Sequence, residues 1–105
     1  MVPAMTELID AINELIAAPS GDIDRLEHTL TDGYAHALSL EAEAHRIERR
    51  LADATRELGR EGSTVQLDEV ADLARRLDAN RAELERLRSL LASLRRVADA
   101  VRSAA

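Results

Sequence analysis

The sequence contains no cysteine, tryptophan, phenylalanine or lysine, and Tyr34 is its only aromatic residue. Without cysteine there is no disulfide framework, no thiol nucleophile and no thiolate-ligated zinc or iron–sulfur site. All 14 basic residues are arginine, against 20 acidic residues, for a net charge of −6. An acidic chain with a single ring lacks the basic footprint and stacking platforms of a general nucleic-acid binder. No apolar run approaches the ~18 residues of a membrane-crossing helix, and the N-terminus lacks the basic and apolar regions of a signal peptide. The expectation is a cytoplasmic chain that does not enter membranes.

What is abundant is alanine and leucine, 19 and 16 of 105 residues, a helix-forming composition. Complete lysine avoidance with heavy Ala, Arg and Leu use suggests a GC-rich bacterial genome, which bears on codons and not on function. Met5, Leu8, Ile9, Ile12, Leu15 and Ile16 recur on one helical face, predicting a short helix over about 6–18 with Thr6 as its N-cap. A helix this short is unstable alone in water, so its apolar face must be buried on something. Pro19-Ser20-Gly21 breaks it.

A long helix is predicted from about 22 to 58, with Asp24 and Glu27 at capping-box spacing and Gly59 as the residue that ends it. Its positions 23, 26, 30, 33, 37, 40, 44, 47, 51, 54 and 58 advance by alternating threes and fours and are apolar or glycine. Residues 59–64 read as a turn, with Ser63 and Gln66 at a second capping-box spacing. A third helix, about 66–103, repeats the heptad from Val70 to Ala105, with Asn80 its one polar member. The expected fold is all-α: a long antiparallel coiled-coil helical hairpin, with the short N-terminal third helix packed at one end, in a single domain of residues 1–105.

A turn centred near residue 62 sets Ala37 opposite Leu87, Leu40 opposite Leu84, Gly33 opposite Leu91, Ala44 opposite Asn80 and Ala54 opposite Val70. Small residues of the second helix mostly meet large residues of the third, which suits close packing. On the flank after each d position (e in the heptad), the expected pairs are Glu27–Arg95, Tyr34–Arg88 and Glu41–Arg81. On the opposite flank (g), Thr29 faces Val97, His36 faces Leu90, Glu43 faces Glu83 and Arg50 faces Arg76. The short helix is expected over Leu90, Val97, Ala100 and Ala104; the competing seat is the strip of Tyr34 and Leu38.

Glu43/Glu83 followed one heptad later by Arg50/Arg76 is self-complementary about a two-fold axis between the blocks. A homodimer is therefore expected, with four helices in the hairpin section and Tyr34, Leu38, Glu43, Arg50, Arg76, Glu83, Leu90 and Val97 as candidate interface residues. Asn80, a polar residue at a core position, is expected to fix register at some expense of stability. Another protein is a further candidate partner.

Sites for chemistry are sparse. His28, Asp32 and His36 share a strip of the second helix, but the two histidines are two turns apart and cannot easily share one metal ion. No carboxylate cluster sits in a predicted apolar pocket, no Ser/His/Asp set converges, and Gly59 and Gly62 form no phosphate-cradling motif. No catalysis, cofactor, metal site or small-molecule substrate is expected. Arg46, Arg49, Arg50, Arg56, Arg60, Arg75 and Arg76 gather toward the hairpin tip, which makes a nucleic-acid-associated accessory protein the alternative to a protein-interaction module. In length and hairpin form the chain resembles the small secreted WxG-motif hairpins, but its turn reads Gly59-Arg60-Glu61-Gly62 without tryptophan, and no family property is carried over.

Overall fold

The computed structural model describes residues 4–18 and 22–104. They form three α-helices, α1 (Met5–Ala17), α2 (Ile23–Leu58) and α3 (Leu67–Ala104), with no strand among the described residues. The fold is all-α, a helical hairpin with a short N-terminal helix. The break expected at Pro19-Ser20-Gly21, and Ala105 of the third-helix stripe, lie outside the described residues.

The helix ends differ in detail from the sequence expectation. The N-cap of α1 is Ala4, which has no side-chain capping bond, and Thr6 lies inside the first turn. Helix α2 is capped by Asp22, whose Oδ1 accepts the Arg25 N–H at 3.2 Å, while Asp24 sits within the first turn. At the other end, Gly59 is not the left-handed residue; Gly62 is, with φ of 79°. The last turn of α2 unwinds through bonds from Gly59 N–H to the Arg56 carbonyl and from Arg60 N–H to the Glu57 carbonyl. Ser63 N–H then closes a four-residue turn onto the Arg60 carbonyl, with Gly62 at the third position where a positive φ is needed. The Ser63 hydroxyl accepts the Val65 N–H at 3.1 Å and does not cap α3, whose first bonds run from Glu69 and Val70 to the Gln66 carbonyl.

The chain packs as two compact units, Met1–Leu38 with Glu85–Ala105, and Ser39–Leu84, to both of which α2 and α3 contribute. In the first unit the core comprises Leu8, Ile12 and Leu15 of α1, Leu26, Leu30 and Ala37 of α2, and Leu87, Leu91, Leu94 and Ala98 of α3. Ile12, Leu26, Leu87, Leu94 and Ala98 have no exposed surface. Gly33 faces Leu91 so closely that a Cβ at residue 33 would overlap the Leu91 side chain, which explains a glycine in mid-helix despite its poor helix propensity. In the second unit the buried cluster is Ala44, Ile47, Leu73 and Leu77, with Leu51 and Ala54 packed against it.

Burial also locates the seat of α1. Thr29 is buried and Leu90 and Val97 are half-buried in the first unit, whereas the corresponding flank residues of the second unit, Glu43, Arg50, Arg76 and Glu83, are all exposed. Tyr34 and Leu38 stay 42% and 66% exposed. The short helix therefore covers the Thr29/Leu90/Val97 strip, the seat expected first, and leaves the Tyr34/Leu38 strip open. Ala100 and Ala104, expected in the same seat, are exposed. Arg25 Nη2 and Glu14 Oε2, 3.9 Å apart, add an exposed ionic contact between α1 and α2.

Three substitutions test this description. Gly62→Ala places a Cβ on a left-handed backbone and lowers the unfolding free energy by about 1 kcal/mol, while Gly59→Ala, whose Cβ meets only an ordinary contact with the Arg56 carbonyl, changes it by less than ~0.5 kcal/mol in denaturant melts. Ile12→Ala removes the fully buried centre of the α1 face and lowers it by about 2–4 kcal/mol.

Candidate functional site

The two flanks of the α2/α3 seam differ in what their charges do. On the e flank the acceptors find arginines within the chain. Arg102 reaches Glu27 Oε1 through Nη2 at 2.5 Å and Nε at 3.2 Å, Arg95 donates to the Tyr34 hydroxyl at 3.4 Å, and Arg81 donates to Glu48 Oε1 at 2.8 Å. For Glu27 and Tyr34 the observed arginine is one heptad further along α3 than in the expected pairs Glu27–Arg95 and Tyr34–Arg88, and Arg81, expected to face Glu41, bonds Glu48. The reason is the lean of helical side chains toward their own N-terminus. In an antiparallel pair the leans oppose, so tips converge when each Cα lies C-terminal to the meeting level, and diverge in the pairing first expected. Arg81 lowers the Glu48 pKa below the ordinary carboxylate value through its hydrogen bond, with its charge and nearby His45 adding to the effect against partial desolvation.

The g flank of the Ser39–Leu84 unit is built differently. Leu40, Glu43, Ile47, Arg76, Ala79, Asn80 and Glu83 line an open groove of about 230 Å³. Glu43, Arg50, Arg76 and Glu83 are exposed, and none of the four forms an ion pair with a described residue. At the floor of the groove Asn80 is 7% exposed, and its Oδ1 is buried without a hydrogen-bond partner. The expected neighbour of Asn80, Ala44, is equally buried.

The structure thus brings Glu43, Arg76, Asn80 and Glu83 to one groove, with Arg50 on the same helical flank, one heptad beyond Glu43. Arg50 also lines a second surface groove with Arg46, Arg49 and Asp53. Leu90 and Val97, candidate interface residues in the sequence, are half-buried in the seat of α1, so they serve the fold and not an open surface. Tyr34 and Leu38 are exposed on the other unit, where the Tyr34 hydroxyl is engaged by Arg95. Leu40 and Ile47 also line the groove, which heptad assignment does not reveal because it marks core positions without showing which open onto a flank, and Ala79 lines it from outside the core stripe.

Several other charged residues pair locally. His28 Nε2 lies 3.6 Å from Asp32 Oδ2, and His45 Nδ1 lies 3.6 Å from Glu48 Oε2. Among the described residues no group of three His, Cys, Asp or Glu side chains could hold a metal ion. Toward the turn, Arg56 pairs with Asp53, Arg60 with Glu57 at 3.1 Å and Arg75 with Asp72 at 3.6 Å, so three arginines of the tip are matched by an acid three residues earlier. No described helix is long and apolar enough to cross a membrane.

The unpartnered amide of Asn80 sits where the facing position of α2 is alanine, and Ala37 meets a leucine at the equivalent layer of the predicted register. Asn80→Leu restores the large-against-small pattern and removes a buried unsatisfied carbonyl. It raises the unfolding free energy by about 1–2 kcal/mol in denaturant melts at concentrations low enough to keep the chain monomeric; a loss of stability there contradicts the assignment. Comparisons with protein-family models, with curated proteins and with solved structures find no match for this chain.

Proposed function

We propose that this chain is a non-catalytic protein-interaction module that associates with itself through the g flank of its Ser39–Leu84 unit. The observation that supports the reading is the contrast between the flanks. The e flank pairs its charges internally, whereas Glu43, Arg76 and Glu83 stand exposed and without ion pairs to described residues around a groove containing the buried, unpartnered Asn80 Oδ1, with Arg50 exposed one heptad beyond Glu43.

A second copy turned about an axis lying across the helices sets α2 on α2 and α3 on α3, antiparallel. Arg76 of each copy then meets Glu83 of the other, and Arg50 meets Glu43. Four ion pairs form from four self-complementary positions, and Leu40 and Ile47 lose their remaining solvent contact. Exposed pairs of this kind contribute ~0–1 kcal/mol each, so apolar closure supplies much of the affinity and the charges fix the orientation. The open Tyr34/Leu38 strip of the other unit is a separate surface for a different protein. The alternative, nucleic-acid contact through the tip arginines, draws less support because several of these are locally neutralised.

Self-association is tested by absolute mass from light scattering across a hundredfold range of concentration. The wild-type chain gives twice the monomer mass in the micromolar range. Arg76→Glu sets like charges against Glu83 and raises the dissociation constant about tenfold or more, and adding Glu83→Arg in the same chain restores it. Masses that stay at the monomer value throughout, or that ignore both substitutions, contradict this surface as the seam.

A further inference from the structure

We infer that Asn80 lies on the two-fold axis of this self-association, where its side-chain amide pairs with the Asn80 amide of the second copy. The inference rests on the self-association proposed above and adds to it the position of the axis and the group that marks it.

Three independent features converge on this residue. The first is the unmet hydrogen-bonding capacity of the side chain: Oδ1 is buried and has no partner, although an amide with two donors and an accepting oxygen gains by pairing in a low-dielectric site. The second is placement, since Asn80 opens into the g groove beside Ala79, whose small side chain leaves room for another helix to approach.

The third is the spacing of the charges. On α3, Arg76 precedes Asn80 by four residues and Glu83 follows it by three. For Arg76 of one copy to stand opposite Glu83 of the other, the axis must cross α3 midway between them, half a residue from Asn80. On α2, the same demand for Glu43 and Arg50 puts the crossing half a residue from Ile47, the buried apolar residue in the same groove. With Ile47 packed against Leu77 in the buried cluster of this unit, as the predicted register requires, these two crossings fall at one level to within about two residues, roughly 3 Å. The acidic and basic positions of two different helices thus point to the same level, which they need not have done.

A residue on a two-fold axis meets its own copy, so only a self-complementary group is satisfied there. Two carboxamides are self-complementary, each donating an N–H to the other's oxygen. Two carboxylates or two guanidinium groups repel, and two leucines bury area without selecting a register. An asparagine at a core position that specifies partner arrangement at the expense of stability is a known device of helical assemblies.

Because the chain has no cysteine, one introduced thiol reports one position. Ala79→Cys, adjacent to the inferred axis, is expected to form a covalent dimer under a glutathione redox buffer, whereas Thr55→Cys on the e flank stays monomeric on a non-reducing gel. Asn80→Ala is expected to raise the dissociation constant at least about tenfold in sedimentation equilibrium, with the helical circular dichroism of the dilute chain unchanged. A wild-type chain that remains monomeric overturns the self-association and this inference together. A dimeric chain whose Ala79→Cys variant does not cross-link leaves self-association standing and overturns the axis. Cross-linking at residue 79 with an undiminished affinity for Asn80→Ala overturns the amide pair alone.

Discussion

Burial of a narrow aliphatic seam between two helices is the interaction on which the other features of this chain depend. With no phenylalanine or tryptophan to fill space, the seam gains its density from sizes that complement each other, as where Gly33 admits Leu91. Such a stripe covers only one face of each helix, and everything beside it must be protected some other way. In the first unit the protection comes from α1, which brings Leu8, Ile12 and Leu15 to a seam that would otherwise leave Thr29, Leu90 and Val97 in water. In the second unit no described helix performs that task, and the flank is open.

The charges divide along the same line. On the e flank arginines of α3 span the seam to Glu27, Tyr34 and Glu48, so that this side is closed electrostatically within a single chain. On the g flank of the second unit the acidic and basic positions are grouped by sign along the helices, and none of the four forms an ion pair with a described residue. An arrangement that is frustrated within one chain and complementary between two is the physical content of the interaction proposed here.

Much of the fold was legible because heptad periodicity is a long-range signal repeated many times: the alternating threes and fours along α2 and α3 fixed both helices and the Gly33–Leu91 register. The seat of α1 followed from the apolar residues left over on the g flank. Other features were not legible because they depend on local geometry that composition does not express. Gly59 and Gly62 are equivalent as letters, yet the unwinding last turn of α2 carries the left-handed conformation on to Gly62. Ser63 has capping chemistry at capping spacing but spends its hydroxyl on Val65. The e-flank partners were misassigned because counting along a helix ignores the lean of long side chains. At the candidate site, Asn80 was visible as a departure from the heptad pattern and the four charged positions as like-charge pairs on its g flank, whereas the groove that gathers Glu43, Arg76, Glu83 and Asn80 requires coordinates.

A heptad pattern matches itself after every seven residues, and the arginines of α3 at 81, 88, 95 and 102 recur on that period. A hairpin shifted by one repeat would therefore still set apolar against apolar and find an arginine for most of its acids. What such a shift cannot accommodate is Leu91, which would leave the space opened by Gly33 and meet a full leucine side chain, Leu26 in one direction and Leu40 in the other. A missing side chain at one place acts as a notch in an otherwise uniform rack. It gives the helices of the first unit one alignment among repeats that otherwise match, and with it the spacing at which Arg95 and Arg102 reach Tyr34 and Glu27.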